Sequence, residues 1–259
     1  MQKIKIGKKT YDFLIVAGPC AAESKQQLFE CAKAIKKYGG HLLRAGVFKP
    51  RTFPESWQGV GKIGFQWLRE VKEKFKIPVA TEVKTPEQVD LALKYKIDVV
   101  WIGTRNSQNF DLLSEVGKKT SKTKTPVILK RGMAMRLEEW LGAARYIILA
   151  GNKNVILCER GVVTFDPKTT RNMLDLQTAL VAKKESGLPV IVDPSHASGR
   201  KDLILPLCLA VKVSGLQGIM VECHPDPSNA KTDKEQQISL EDFKDLVKKL
   251  KKVKSIDEL

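Results

Sequence analysis

The run Pro126-Val127-Ile128-Leu129-Lys130, followed by Trp140–Leu149 and then Val155-Ile156-Leu157-Cys158, decides the fold. A short apolar run between polar residues reads as a buried strand, and the longer middle segment reads as an amphipathic helix. The same unit recurs along the chain. Strands are predicted at Phe13–Ala17, His41–Phe48, Pro78–Thr81, Val99–Gly103, Pro126–Lys130, Val155–Cys158, Pro189–Asp193 and Gly218–Glu222. Helical patterns lie at Leu28, Ala32 and Ile35, at Phe65–Phe75, Val89–Tyr95, Trp140–Leu149, Met173–Lys183 and Leu203–Val213, and last at Phe243, Leu246, Val247 and Leu250. Strand followed by helix, eight times over, predicts an α/β fold of the (β/α)8 TIM-barrel kind, with an open doubly wound sheet as the alternative. Residues 1–12, polar with a turn at Gly7-Lys8-Lys9, predict a small hairpin capping the barrel floor. No composition shift or linker marks a second domain, so residues 1–259 are read as one barrel unit without a regulatory domain.

Composition sets the outer bounds. The chain has 259 residues, 42% hydrophobic and 29% charged, which is globular rather than disordered or collagenous. Nothing approaches the roughly 18 consecutive apolar residues of a membrane span. Lysines ahead of Phe13-Leu14-Ile15-Val16-Ala17 imitate a secretion signal, but Gly18-Pro19 breaks the short apolar run, which reads instead as a first core strand. Five cysteines without a CxxC pair fit a reducing, cytoplasmic setting. Cys31, Cys158 and Cys208 fall on apolar faces, and Cys223, alternating with Glu222 and His224, should face the helices. The net charge of +16 invites a nucleic-acid reading. Its lysines are scattered except at Lys118–Lys124 and Lys244–Lys254, and no nucleic-acid motif accompanies them, so a site for small anions fits better.

Barrel enzymes place their chemistry at the C-terminal ends of the strands. Charged or metal-capable residues occur at all eight predicted ends, whereas the opposite face shows mainly Gly39-Gly40, Lys76, Lys96 and Gly187. That asymmetry points to an enzyme. Arg44, Lys49, Arg105, Lys130 and Arg160 would converge in one mouth, where cations make sense only if the ligands carry several negative charges. Cys20, His196, Glu222 and Asp233 offer mixed S, N and O donors suited to a divalent ion such as Zn, Mn or Fe. His41 begins a strand on the opposite face and reads as structural. Gly59-Val60-Gly61-Lys62-Ile63-Gly64 matches GxGxxG, but a dinucleotide fingerprint must directly follow a strand, and Lys49–Gln58 intervenes. These glycines are read as letting the long second loop fold over a phosphate.

The motifs at the strand ends carry a resemblance that runs from about Phe13 to Leu240. They are Ala17-Gly18-Pro19-Cys20, Phe48-Lys49-Pro50-Arg51-Thr52, Ile102-Gly103-Thr104-Arg105-Asn106, Leu129-Lys130-Arg131-Gly132, Cys158-Glu159-Arg160-Gly161, Thr169-Thr170-Arg171-Asn172, Asp193-Pro194-Ser195-His196 and Val221-Glu222-Cys223-His224-Pro225-Asp226-Pro227. The chain resembles the type I 3-deoxy-D-arabino-heptulosonate 7-phosphate (DAHP) synthases, in the subgroup similar to the octulosonate 8-phosphate synthases. The resemblance implies a transferase that condenses phosphoenolpyruvate with erythrose 4-phosphate, releasing phosphate, as the first step of the shikimate pathway. It implies a divalent metal (Mn, Fe, Zn or Co) on Cys20, His196, Glu222 and Asp233. It places phosphoenolpyruvate on Arg44, Lys49, Arg105, Lys130 and Arg160, with Glu159 also in the binding set, and the aldose phosphate on Arg51 and Thr52. Lys49 and a metal-bound water are the proton carriers it suggests, and a homotetramer or homodimer is the expected assembly.

The octulosonate enzymes, which use arabinose 5-phosphate, characteristically carry Lys-Ala-Asn-Arg-Ser where this chain has Lys49-Pro50-Arg51-Thr52. Arg171-Asn172 also looks like the heptulosonate side. Phe53, Trp57 and Ser198 depart from the commoner residues. The absence of room for a regulatory domain within these residues leads to the expectation of insensitivity to aromatic amino acids.

Overall fold

The computed structural model describes residues 3–256; Met1, Gln2 and residues 257–259 of the predicted unit lie outside them. An antiparallel hairpin, β1 (Ile4–Ile6) and β2 (Lys9–Tyr11), comes first. Eight parallel strands follow: β3 (Leu14–Gly18), β4 (Leu42–Arg44), β5 (Val79–Glu82), β6 (Val99–Ile102), β7 (Val127–Lys130), β8 (Val155–Glu159), β9 (Val190–Val192) and β10 (Gly218–His224). Each pairs with the next, and β10 pairs with both β9 and β3, which closes the ring. Around it lie α1 (Lys25–Tyr38), α2 (Ile63–Phe75), α3 (Pro86–Lys94), α4 (Phe110–Ser121), α5 (Leu137–Leu149), α6 (Leu176–Ser186), the short α7 (Pro194–Ser198), α8 (Ile204–Val213) and α9 (Leu240–Leu250). A two-residue strand, β11 (Ile238–Ser239), adds to the outside of β10. The structure is therefore the predicted (β/α)8 barrel, not an open sheet. No helix among the described residues is long and apolar enough to cross a membrane.

The elements differ from the sequence reading in three places. The strand predicted at His41–Phe48 ends at Arg44: Ala45 N still donates to Ala80 O of β5, but Gly46 leaves the ladder and exchanges hydrogen bonds with Cys20 and Ala22 in the loop after β3. Met173 is not helical; it bridges Val162, and α6 starts only after Asp175, whose side chain caps it by accepting from Thr178 N. Helix α4 is an element the pattern reading did not name. Its buried face is Leu112, Leu113, Val116, Gly117 and Thr120, and its end coincides with the Lys118–Lys124 run that reads as surface charge.

Strand alternation explains how one barrel holds both a core and a site. Side chains two apart on a strand share a face. The interior is filled by Leu14, Val16, Leu42, Ala80, Val99, Trp101, Ile128, Ile156, Cys158, Ile191 and Met220, and Ile4 and Ile6 of the hairpin plug it from the floor. Two residues further along the same faces stand Arg44, Glu82, Lys130, Arg160, Asp193 and Glu222. On six of the eight strands the interior therefore changes from apolar to charged within one step, and on β3 and β6 the corresponding residues are Gly18 and Gly103. A second apolar layer between strands and helices takes Cys31, Cys208 and Cys223, the last facing the helices as alternation requires. His41 stays at the floor, where its Nδ1 accepts from Ile15 N (3.1 Å) and its ring packs on Tyr11.

Candidate active site

Four donors meet at the top of the barrel. The turn after β3 delivers Cys20, and it can do so because residue 18 is glycine: its φ is +147° and a Cβ there would lie 2.1 Å from the Arg44 carbonyl oxygen. His196 comes from α7, Glu222 from β10 and Asp233 from the loop between β10 and β11. Their ligating atoms all lie within 4.8 Å of one another. Cys20 Sγ is 2.8 Å from Asp233 Oδ2, and His196 Nε2 is 3.5 Å from Glu222 Oε1. Asp233 holds a left-handed backbone, φ 51°, a conformation that Asp tolerates better than most residues.

The protonation states suit a metal. His196 Nδ1 faces Asp193 Oδ2 at 2.8 Å; a carboxylate only accepts, so Nδ1 carries the proton and Nε2 presents a lone pair to the other donors. Burial holds the imidazole below its ordinary value despite Asp193 and Glu222, so it is neutral at pH 7. Burial works against the Glu222 and Asp233 carboxylates, but the Arg44 guanidinium beside the first and the Lys49 ammonium beside both hold them below the ordinary carboxylate value, so both are ionised. Burial, reinforced by Glu222, pushes the Cys20 thiol up. A coordinated thiol gives up that proton. Thiolate, imidazole and two carboxylates within one small volume fit a borderline divalent ion.

Above the donors opens a cavity of about 330 Å3. Arg44, Lys49, Arg51, Arg105, Lys130, Arg160 and Arg171 line it, against the carboxylates of Glu82 and Asp233 alone. The deepest cations are fixed from below. Arg44 donates to Glu222 Oε1 and, through Nη2, to Cys20 O (3.1 Å). Lys130 Nζ sits 2.6 Å from Asp193 Oδ2, and Lys49 Nζ 2.8 Å from Cys20 Sγ. Arg44 and Lys130 both lie over the ring of Trp101, at 4.8 and 6.0 Å from its centroid. The Nε atoms of Arg44 and Arg160 are buried and bonded to nothing in the protein. Buried donors of this kind are costly unless a ligand meets them.

The structure brings eleven of the twelve sequence-selected residues to this mouth. Cys20 and Glu222 form its base, Arg51 and Thr52 its rim, and Arg105 Nη2 reaches Thr52 Oγ1 at 3.5 Å. Glu159 is the exception and lies outside the cavity lining. It alternates with Cys158 and Arg160, so the pleat turns it to the opposite face, where one oxygen takes Arg131 Nη1 (3.0 Å) and the other Gly161 N (2.6 Å). Its carboxylate does not line the cavity. Trp101, Asp193 and Glu82 contribute without having been selected; all three share the inward face of their strands, so alternation could have found them. The Gly59–Gly64 motif ends the β4–α2 loop and opens α2, which starts at Ile63. Gly59, at φ +97°, and Gly64 pack against Val47, so the glycines fold that loop back on the end of β4.

With this geometry established, comparison with known proteins is informative. Residues 1–258 match the DAHP synthetase I family. The chain belongs to that family. Among its relatives, phospho-2-dehydro-3-deoxyheptonate aldolase of Thermotoga maritima is 44% identical over 250 residues, 96% of this chain and 72% of that protein. The crystal structure of the same protein, a DAHP synthase, superposes with a TM-score of 0.91 at 41% identity, covering 98% of this chain and 75% of that one. A 2-dehydro-3-deoxyphosphooctonate aldolase from Geobacter sulfurreducens is more distant, at 29% identity over 271 residues, 98% of this chain and 96% of its own length. The DAHP synthetase I family thus supplies the scaffold that strand order, hairpin and mouth describe here.

Proposed function

We propose that the cation-lined mouth binds phosphoenolpyruvate beside erythrose 4-phosphate and that the chain condenses them, with water, to DAHP and inorganic phosphate. The observation that carries this reading is the set of seven cations around 330 Å3 directly above a four-donor cluster, in a chain of the DAHP synthetase I family. Both substrates are phosphorylated and one is also a carboxylate, so together they supply the negative charge that the buried guanidinium groups lack.

Arg44, Lys49, Arg105, Lys130 and Arg160 hold phosphoenolpyruvate. Three of them are clamped from below by Glu222, Cys20 and Asp193, so they are oriented before substrate arrives, and their contribution is positioning and electrostatics. Arg51 and Thr52 at the rim hold the aldose phosphate, which leaves its aldehyde pointing inward. Cys20, His196, Glu222 and Asp233 would hold a divalent metal ion, drawn from Mn, Fe, Zn or Co, which would supply Lewis acidity at the base of the mouth. The enol carbon attacks the aldehyde, water adds to the developing cation at the enol-ether carbon, and phosphate leaves. Lys49 is placed to pass a proton at Nζ. Burial lowers its pKa, but Cys20, Glu222 and Asp233 more than offset that, so it starts protonated.

Arabinose 5-phosphate is the competing second substrate, and Lys49-Pro50-Arg51-Thr52 together with the 44% against 29% identities favours erythrose 4-phosphate. The test is phosphate release from phosphoenolpyruvate after the protein is stripped of metal and resupplied with manganese, each aldose phosphate being offered separately. Turnover with erythrose 4-phosphate alone is expected; turnover only with arabinose 5-phosphate would overturn the reading of residues 49–52. The reading also carries a cytoplasmic location, a homotetramer or homodimer to be checked by sedimentation, and one catalytic unit over residues 1–259.

A further inference from the structure

Three of the four donors ride on elements that the barrel itself positions: Cys20 follows β3, Glu222 lies in β10, and His196 sits on α7 directly after β9. Asp233 does not. It lies in the connection between β10 and β11, in a left-handed conformation that an unsupported loop would not hold.

The loop is held by side chains from two directions. Lys231 N donates to Glu23 Oε1 at 2.8 Å, which ties the approach to the loop after β3. On the other side stands Gln237, completely buried. Its Oε1 accepts from Cys20 N at 2.9 Å, and its Nε2 donates to Thr232 O at 2.8 Å. The amide cannot be turned round, because Cys20 N can only donate and Thr232 O can only accept. One side-chain amide therefore joins the backbone of one donor residue to the peptide carbonyl immediately preceding another. Pairing of Ile238 with Cys223 anchors this amide beside Glu222. Its neighbour Gln236 reaches Glu222 itself: Nε2 donates to Glu222 Oε2 at 2.6 Å, and Oε1 accepts from Arg171 Nη1, which also donates to Asp233 Oδ1.

We infer that Gln237 is a positioning residue for the metal site, setting the spacing between Cys20 and Asp233 by bridging their backbones, with Gln236 orienting Glu222 in the same way. The inference rests on the metal reading given above. Removing a group that orients metal ligands from behind typically weakens metal affinity about 10- to 100-fold.

The experiment is Mn2+ binding to the full chain, stripped of metal and titrated in competition with a chromophoric chelator, for wild type, Cys20→Ala, Gln237→Met, Gln237→Asn and Gln217→Met. Gln217 is the control. It is also buried and also accepts from a backbone amide, Val190 N at 2.9 Å, but at the barrel floor. Gln237→Met should weaken Mn2+ binding about 10- to 100-fold. Gln237→Asn, which keeps the amide on a shorter arm, should fall between it and wild type. Gln217→Met should lower the unfolding temperature of the metal-free protein and leave Mn2+ affinity within about twofold, the mark of a structural role. Mn2+ binding by Gln237→Met as tight as wild type would overturn the inference; should that variant not fold, wild-type affinity in Gln237→Asn would do so. Wild-type affinity in Cys20→Ala would instead sink the metal reading itself, so the two failures are distinct.

Discussion

The floor and the mouth of this barrel are built on the same strands and divide the work between them. At the floor, Ile4 and Ile6 seal an interior of aliphatic side chains. One step along the same faces, Arg44, Lys130, Asp193 and Glu222 are almost as deeply buried, and each is paired. Burial at the floor stabilises by removing apolar surface from water. Burial at the mouth costs solvation of charge, which pairing only partly returns. The difference teaches where function resides. A residue set that stability alone would replace with leucine is retained where ligands enter, and the Trp101 ring marks the boundary between the two layers.

The largest expected effect breaks the mouth alone. Cys20→Ala removes one of four donors, and turnover at saturating substrates should fall by about three orders of magnitude, equivalent to about 4 kcal/mol of transition-state stabilisation. The metal-free protein should unfold within about 1 kcal/mol of wild type, because little packing is lost. Urea titration of the stripped protein beside the phosphate-release assay checks both. Ile6→Ala is the converse at the floor. It leaves a cavity under the barrel and should cost about 2–4 kcal/mol of stability, with kcat/KM of the folded protein unchanged within about twofold. If Ile6→Ala removed activity without lowering stability, the division between floor and mouth would not hold.

The same contrast explains what could be read in the chain. The strand–helix alternation and the convergence of Cys20, His196 and Glu222 are legible because both follow from local pattern plus the rule that barrel sites sit at strand ends, whereas Asp233 lies further along the β10–β11 loop, where that rule fixes no position. Glu159 shares a motif with Arg160, but the pleat that turns Cys223 outward turns Glu159 away from the cavity as well. Helix α4 was hidden by Gly117 and by the lysines at its end, which dilute the apolar face. The Gln237 bridge was not legible at all. A neutral amide in a polar loop carries no periodic signal, and its partners lie 5 and 217 residues away.

A smaller effect sharpens the boundary within the mouth. Arg105 lines the cavity and reaches Thr52 only weakly, with no carboxylate partner among the described residues. Arg105→Met should raise the KM for phosphoenolpyruvate about 10- to 100-fold, the worth of one or two charged hydrogen bonds, while stability stays within about 0.5 kcal/mol. Steady-state kinetics with each substrate varied in turn would show whether the loss falls on phosphoenolpyruvate. An equal loss on the aldose would move Arg105 into the Arg51–Thr52 group.

The smallest effect returns to the floor, where the His41 ring is structural. Burial, together with Lys9 and Lys251, holds His41 below the ordinary histidine value, and its Nδ1 must stay unprotonated to accept from Ile15 N. The unfolded chain therefore binds this proton more readily than the folded one. Stability from His41 is complete above the unfolded value near 6.5 and is lost as pH falls below it, where only the unfolded state is protonated. His41→Gln keeps an acceptor for Ile15 N and removes the titration. Between pH 7.5 and 5.5 the urea midpoint of wild type should fall further than that of His41→Gln, while the other histidines contribute equally to both. Parallel midpoints would mean that the floor carries no pH dependence through His41, and that sensitivity in this range belongs to the mouth.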